Sequence, residues 1–149
     1  MRVAIVVSRY HDAITGALRD GAVAAFRAAG GADDDVVVID APGAFELPLL
    51  ARAAARRRDI HGVVCLGCVI RGETSHDQHI NDAVAIGVMH AALETDTPIA
   101  FGLLTCPTRE HALARAGGAK GNKGEEAMHA TLESIAQLRA VSALPENET

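Results

Sequence analysis

Apolar positions along the chain fall into short continuous runs that alternate with stretches of helical spacing. Val3–Ser8, Val36–Ala41, residues 63–70 and residues 99–105 are runs rich in β-branched or aliphatic side chains, and each reads as a strand. Between them, residues 12–29 carry Ile14, Leu18, Ala22, Ala25, Phe26 and Ala29 at helical spacing and stop at Gly30-Gly31. Further helices are predicted over 46–58, with Pro48 in the first turn where its missing N–H costs nothing, and over 77–95, 108–116 and 123–141. The last two are separated by a glycine-rich stretch, and residues 144–149 form a polar tail expected to fray.

Strands that are apolar throughout, each followed by a helix, indicate a parallel sheet covered on both faces, because parallel strands need crossover connections. The expected fold is α/β: a three-layer α/β/α sandwich around a four-stranded parallel, flavodoxin-like sheet, with residues 1–149 forming one domain. In such a sheet ligands bind beyond the carboxyl ends of the strands. That edge holds Ser8–His11, residues 41–46, residues 71–76 and residues 105–108.

Composition narrows the function. The chain has 149 residues, is 49% apolar and carries a net charge of −5. Its largest basic cluster is Arg56-Arg57-Arg58, which argues against a nucleic-acid partner. No apolar run reaches the roughly 18 residues of a bilayer span, and the start lacks a signal-peptide pattern, so no membrane partner and a cytoplasmic location are expected. Three cysteines give no disulfide framework. The CxxC spacing of Cys65 and Cys68 lies inside a strand, where an offset of three sends the thiols to opposite faces, so both read as structural.

Only four aromatics occur, Tyr10, Phe26, Phe45 and Phe101, and three of them fall near the ligand edge. Rings kept there suit stacking on a planar ligand; filling gaps between elements is the alternative. In the third loop, Gly72 permits close backbone approach, and the amides of Glu73, Thr74 and Ser75 precede a helix, an arrangement that attracts anions. Ser75 or Asp77 reads equally well as an ordinary N-cap. His76 is a candidate to take a proton near pH 7. Farther on, Arg115 and Lys123 flank a glycine-rich bend suited to anion or carbonyl recognition, or simply a solvated connection. His76 and His79 lack the spacing of a metal motif, so no metal is expected, and His61, His90, His111 and His129 have no evident partners.

These loops together resemble the lumazine synthase family, the 6,7-dimethyl-8-ribityllumazine synthases of riboflavin biosynthesis, from about residue 3 to 138. The resemblance rests on Ser8-Arg9-Tyr10 with Ile14-Thr15 and on Pro42-Gly43-Ala44-Phe45-Glu46-Leu47-Pro48. Gly67 with Val69-Ile70-Arg71-Gly72-Glu73-Thr74 and His76, Phe101-Gly102 with Leu104-Thr105, then Arg115-Ala116-Gly117 and Gly121-Asn122-Lys123-Gly124 complete it. It implies a transferase that condenses 5-amino-6-(D-ribitylamino)uracil with 3,4-dihydroxy-2-butanone 4-phosphate, releasing phosphate and water, without a cofactor.

By that resemblance Tyr10 stacks on the pyrimidine, Ala44, Phe45 and Glu46 bind the ribityl chain, and Val69 and Ile70 offer backbone contacts to the heterocycle. Gly72, Glu73 and Thr74 match the phosphate loop, His76 the proton-transfer residue and Arg115 the guanidinium that pairs with phosphate. Phe101 and Lys123 match contacts made from a neighbouring subunit, and Glu126 an acidic position beside the cations. The chain departs from the family at Tyr10, where Phe or Trp is usual, at His11, where Asn is common, and at Asp77-Gln78-His79, where the family has aromatic-acid-aromatic. A non-catalytic or weakly active paralogue binding riboflavin or lumazine is the alternative, and the fold alone also admits an FMN-binding module.

Oligomerisation has its own argument. Between Ala83 and Leu93 only His90 is polar, so one sheet cannot cover every side of that helix. Family members form pentamers, some assembled into sixty-subunit shells. The start close to the first strand, without the segment that in relatives joins a neighbour's sheet, argues for the pentamer alone, whereas the uninterrupted 117–123 bend argues for the shell. At least a homopentamer is expected.

Overall fold

A computed structural model describes residues 1–146; the end of the predicted tail, residues 147–149, lies outside the described residues. Strands β1 (Val3–Ser8), β2 (Val36–Ala41), β3 (Gly62–Ile70) and β4 (Ile99–Cys106) form one sheet in the order β2-β1-β3-β4, parallel throughout. Helices α1 (Asp12–Ala28), α2 (Leu47–Ala55), α3 (His76–Thr95), α4 (Arg109–Ala114) and α5 (Lys123–Ser142) cover it.

Strand alternation assigns the two faces. Val3, Ile5 and Val7 of β1 with Val64, Leu66 and Cys68 of β3 pack against α1 and α5 through Ile14, Leu18, Phe26, Met128 and Ile135. Ala4 and Val6 with Val63 and Cys65 pack against α2 and α3 through Leu47, Ala51, Val84 and Val88. Cys65 and Cys68 therefore lie in different layers, and all three cysteines are free and buried. Small alanines let α2 lie close to the sheet, and the Glu94 carboxylate ties α3 to Arg52 (3.3 Å) and Arg56 (2.7 Å) of the α2 end.

Two boundaries differ from the sequence reading by more than one residue. The second helix stops at Ala55 rather than Arg58, because the chain turns there, pairing Arg57 with Asp59 (2.9 Å) and burying Ile60. The fourth ends at Ala114, because the glycine-rich stretch is not a plain connection. It forms a two-stranded antiparallel ribbon, β5 (Ala116–Gly118) and β6 (Gly121–Asn122), made possible by left-handed backbone at Gly117 (φ 103°) and Gly121 (φ 84°). Among the described residues, no helix is long and apolar enough to cross a membrane.

Candidate active site

The sheet order changes direction between β1 and β3, and a crevice forms where the loops leaving those strands part. There a cleft of about 600 Å³ is lined by Tyr10 and His11 after β1, by Gly43–Glu46 after β2, and by the end of β3 with the start of α3. Of the residues singled out from sequence, it gathers Tyr10, Ala44, Phe45, Glu46, Val69, Ile70, Gly72, Thr74 and His76. Tyr10 and Phe45 are about two-thirds exposed (67% and 65%), although a large aromatic surface ordinarily seeks cover.

Local structure explains these placements. The amide of Arg9 donates to the Ala41 carbonyl (2.8 Å), so the loops after β1 and β2 leave side by side. His11 turns the chain into α1 from a left-handed conformation (φ 60°, ψ 50°) and sets its ring edge-on to Tyr10, centroids 4.6 Å apart. A short 3-10 turn, Ala44–Glu46, presents Phe45 and Glu46 before α2 opens with Leu47-Pro48.

At the start of α3, Ser75 holds the N-cap position but its side chain caps no amide; its hydroxyl lies 3.4 Å from His79 Nε2. The His76 amide donates to Thr74 Oγ1 (3.3 Å). The Gln78 and His79 amides donate to the Ser75 carbonyl (3.1 and 3.3 Å), which leaves the Asp77 amide as the first-turn donor beside the cleft, where the partial positive charge of the helix N-terminus favours an anion. Glu73 belongs to the same loop but faces its other side, lining a polar cleft with Arg71, Asn81 and Thr105. Thr105 Oγ1 donates to Asn81 Oδ1 there (2.8 Å).

The remaining candidates stand elsewhere. Arg115, Lys123 and Glu126 line a separate pocket of about 250 Å³ against Leu103–Cys106, together with Lys120, which sequence reasoning did not single out. The Arg115 guanidinium donates to the His111 carbonyl (3.1 Å), leaving other N–H groups free of that bond, and Lys123 Nζ sits 3.4 Å from Glu126 Oε2. Between this pocket and the first cleft stand the Arg71–Asp77 segment and the loop after β4. Phe101 is not at the strand end with Tyr10 and Phe45. It lies near the middle of edge strand β4, opposite Cys65, and is 39% exposed.

Burial pushes the Cys68 thiol, which borders the first cleft, up to about 11, and Cys65 up to about 12, so neither is a nucleophile at neutral pH. Three of the histidines read as partnerless have partners: His61 Nδ1 accepts from the Arg2 amide (3.1 Å), His111 Nδ1 lies 3.1 Å from Thr108 Oγ1, and His129 lies 3.7 Å from Glu125. Among the described residues, no three His, Cys, Asp or Glu side chains cluster as a metal site.

Residues 1–139 match the family described as 6,7-dimethyl-8-ribityllumazine synthase. The chain is 46% identical over 142 residues to the protein of that name from Thermus thermophilus, covering 95% of this chain and 90% of that one. It is 45% identical to 6,7-dimethyl-8-ribityllumazine synthase 1 of Caulobacter vibrioides (94% and 92% covered) and 43% identical to the Syntrophus aciditrophicus protein (95% and 92% covered).

Proposed function

The chain belongs to the 6,7-dimethyl-8-ribityllumazine synthase family, and from that premise we propose how its residues carry the reaction. Its function is lumazine synthesis in riboflavin biosynthesis: 5-amino-6-(D-ribitylamino)uracil condenses with 3,4-dihydroxy-2-butanone 4-phosphate, and phosphate and water leave. The substrate amine is itself the nucleophile, so the protein must orient two molecules, move protons and hold an anion.

The observation that carries the assignment of roles is an aromatic-faced cleft that opens onto the N-terminus of α3 beside His76. Tyr10 and Phe45 flank the flat pyrimidine, the backbone of Ala44, Val69 and Ile70 borders it, and Glu46 accepts from ribityl hydroxyls. Gly72, Glu73 and Thr74 supply the loop that receives phosphate. His76 takes a proton as the amine nitrogen bonds to the ketone carbon and the carbonyl oxygen departs as water. Arg115 pairs with phosphate as it leaves with the bonding electrons, a geometry lysine cannot reproduce.

Since Arg115, Lys123, Glu126 and Phe101 lie outside the first cleft, the complete site joins that cleft to the cationic pocket of an adjacent copy. A head-to-tail contact repeated around a ring gives every junction one site, and the reading is a homopentamer or a shell of pentamers. Four large apolar side chains support an assembly: Leu49, Ile86, Met89 and Leu93 are 59–71% exposed in a single chain. Three unpaired, buried thiols suit a reducing compartment, and the cytoplasm is the proposed location. The whole chain acts as one domain.

Product absorbance on mixing the two substrates tests the roles. His76→Ala and Arg115→Ala should each slow formation by a factor of about 10² or more. Unchanged rates in both variants would show that these residues hold neither role.

A further inference from the structure

The structure assigns a positioning role to Asn122, a residue that touches no substrate in the reading above but on which the cationic bend is hung. The assignment rests on Arg115 and Lys123 being the groups that meet phosphate and the heterocycle. Asn122 ends β6 and precedes α5, and its one amide makes two kinds of attachment. Oδ1 accepts from the backbone N–H of Gly124 (2.8 Å) and Glu125 (3.2 Å), which caps α5. Nδ2 donates to the carbonyl of Ala17, on α1 and 105 residues distant (3.1 Å). Aspartate would cap the helix as well, but it has no N–H to give to a carbonyl.

Two glycines make room for this clamp. A Cβ on Gly21 would run into the Asn122 amide, and one on Gly124 would run into the Leu18 carbonyl. Gly21 lies inside α1, where glycine is a poor helix former, so a local weakness of the helix is matched to the side chain it admits. The clamp also sits where it governs both cations. Asn122 pairs with Ala116 across the ribbon, and the Lys123 amide donates to the Arg115 carbonyl (2.9 Å). Fixing Asn122 to α1 therefore fixes the roots of Arg115 and Lys123 against the body of the protein, and misplacement by roughly an ångström at such a site lowers rates steeply.

The test uses the assembled enzyme, orthophosphate as the binding probe, and the variants Asn122→Asp, which keeps the cap acceptor but loses the donor, and Gly21→Ala, which evicts the amide while improving helix propensity. Both should raise the orthophosphate Kd and the KM for the butanone phosphate by about tenfold. Asn122→Asp added to Arg115→Ala should cost no further orthophosphate affinity, because Asn122 reaches phosphate through Arg115 while Lys123 meets the heterocycle. Ile135→Val, a core change on the same helix, should loosen packing and leave the orthophosphate Kd unchanged. If Asn122→Asp does not fold, Gly21→Ala decides alone. Wild-type phosphate binding in these variants, an additive double variant, or an equal effect of Ile135→Val overturns the positioning role and leaves the site intact. Wild-type phosphate binding by Arg115→Ala overturns the reading of the site and this role with it.

Discussion

Mixing two dead enzymes decides whether the site is shared. His76 borders the aromatic cleft and Arg115 the pocket beyond β4, and among the described residues none lines both. If each working site takes its cleft from one protomer and its cation from the next, His76→Ala and Arg115→Ala damage different halves. Each variant alone should retain about 1% of the rate, from a loss of about 10². When the two are unfolded together and reassembled at equal amounts, each junction draws its two halves independently. About one site in four then has both halves intact, and activity should return to about a quarter of wild type, some 25-fold above either parent. Varying the proportion f of one variant should trace f(1−f), highest at equal amounts. The assay is the rate of lumazine absorbance per mole of protein, with sedimentation establishing that the mixed species co-assemble. Should the mixture remain at the parental level in demonstrably mixed oligomers, both groups act within one chain and the junction model is wrong.

Three further outcomes are expected. Leu49, Ile86, Met89 and Leu93 would each gain about 1–2 kcal/mol from being covered, so Ile86→Asp should release monomers of 15.5 kDa in sedimentation at micromolar concentration. It should abolish activity while leaving the helical circular dichroism signal; a fully active Ile86→Asp oligomer would contradict the covered face. Burial holds Cys65 and Cys68 neutral, which stabilises the fold below about pH 9, and that contribution is lost as pH rises through 11 to 12. Thiolate absorbance near 240 nm should grow only in that upper window, and Ellman's reagent at pH 8 should label these thiols only in denaturant; rapid labelling of the native protein would refute the burial argument. Gly124→Ala drives a methyl group into the Leu18 carbonyl, backbone that cannot rotate away, and should cost about 3 kcal/mol or more, lowering Tm by about 10 °C at equal protein concentration. An unchanged Tm would show that α5 lifts from α1 freely.

The strands were legible because their signal is local. Val3–Ser8 and Val36–Ala41 form as the β-branched runs predict, and the sheet follows from alternation with helices. The cleft was legible too, since strand order sends the loops after β1, β2 and β3 to one crevice. Phe101 was harder, because sequence order places it near the last loop while the pairing register sets it opposite Cys65, well before the strand end. The end of α2 carried no stop signal in its alanine and arginine run, and the turn depends on Asp59, which also pairs with Arg2 (2.9 Å) across the chain.

The ribbon carrying Arg115 and Lys123 escaped sequence reading for a deeper reason. Its residues 116–122 contain no β-branched side chain and no period, and glycine there favours disorder as readily as structure. What orders it comes from elsewhere: the Lys120 amide donates to the Ala114 carbonyl (2.8 Å), and Asn122 reaches the backbone of α1. A bend that local propensity leaves free is therefore held by one bond back to the preceding helix and one to α1, distant in sequence. Such a bend can be set to an angstrom-level position without a bulky core of its own, which lets two long cations stand at the protein surface with their backbone roots fixed.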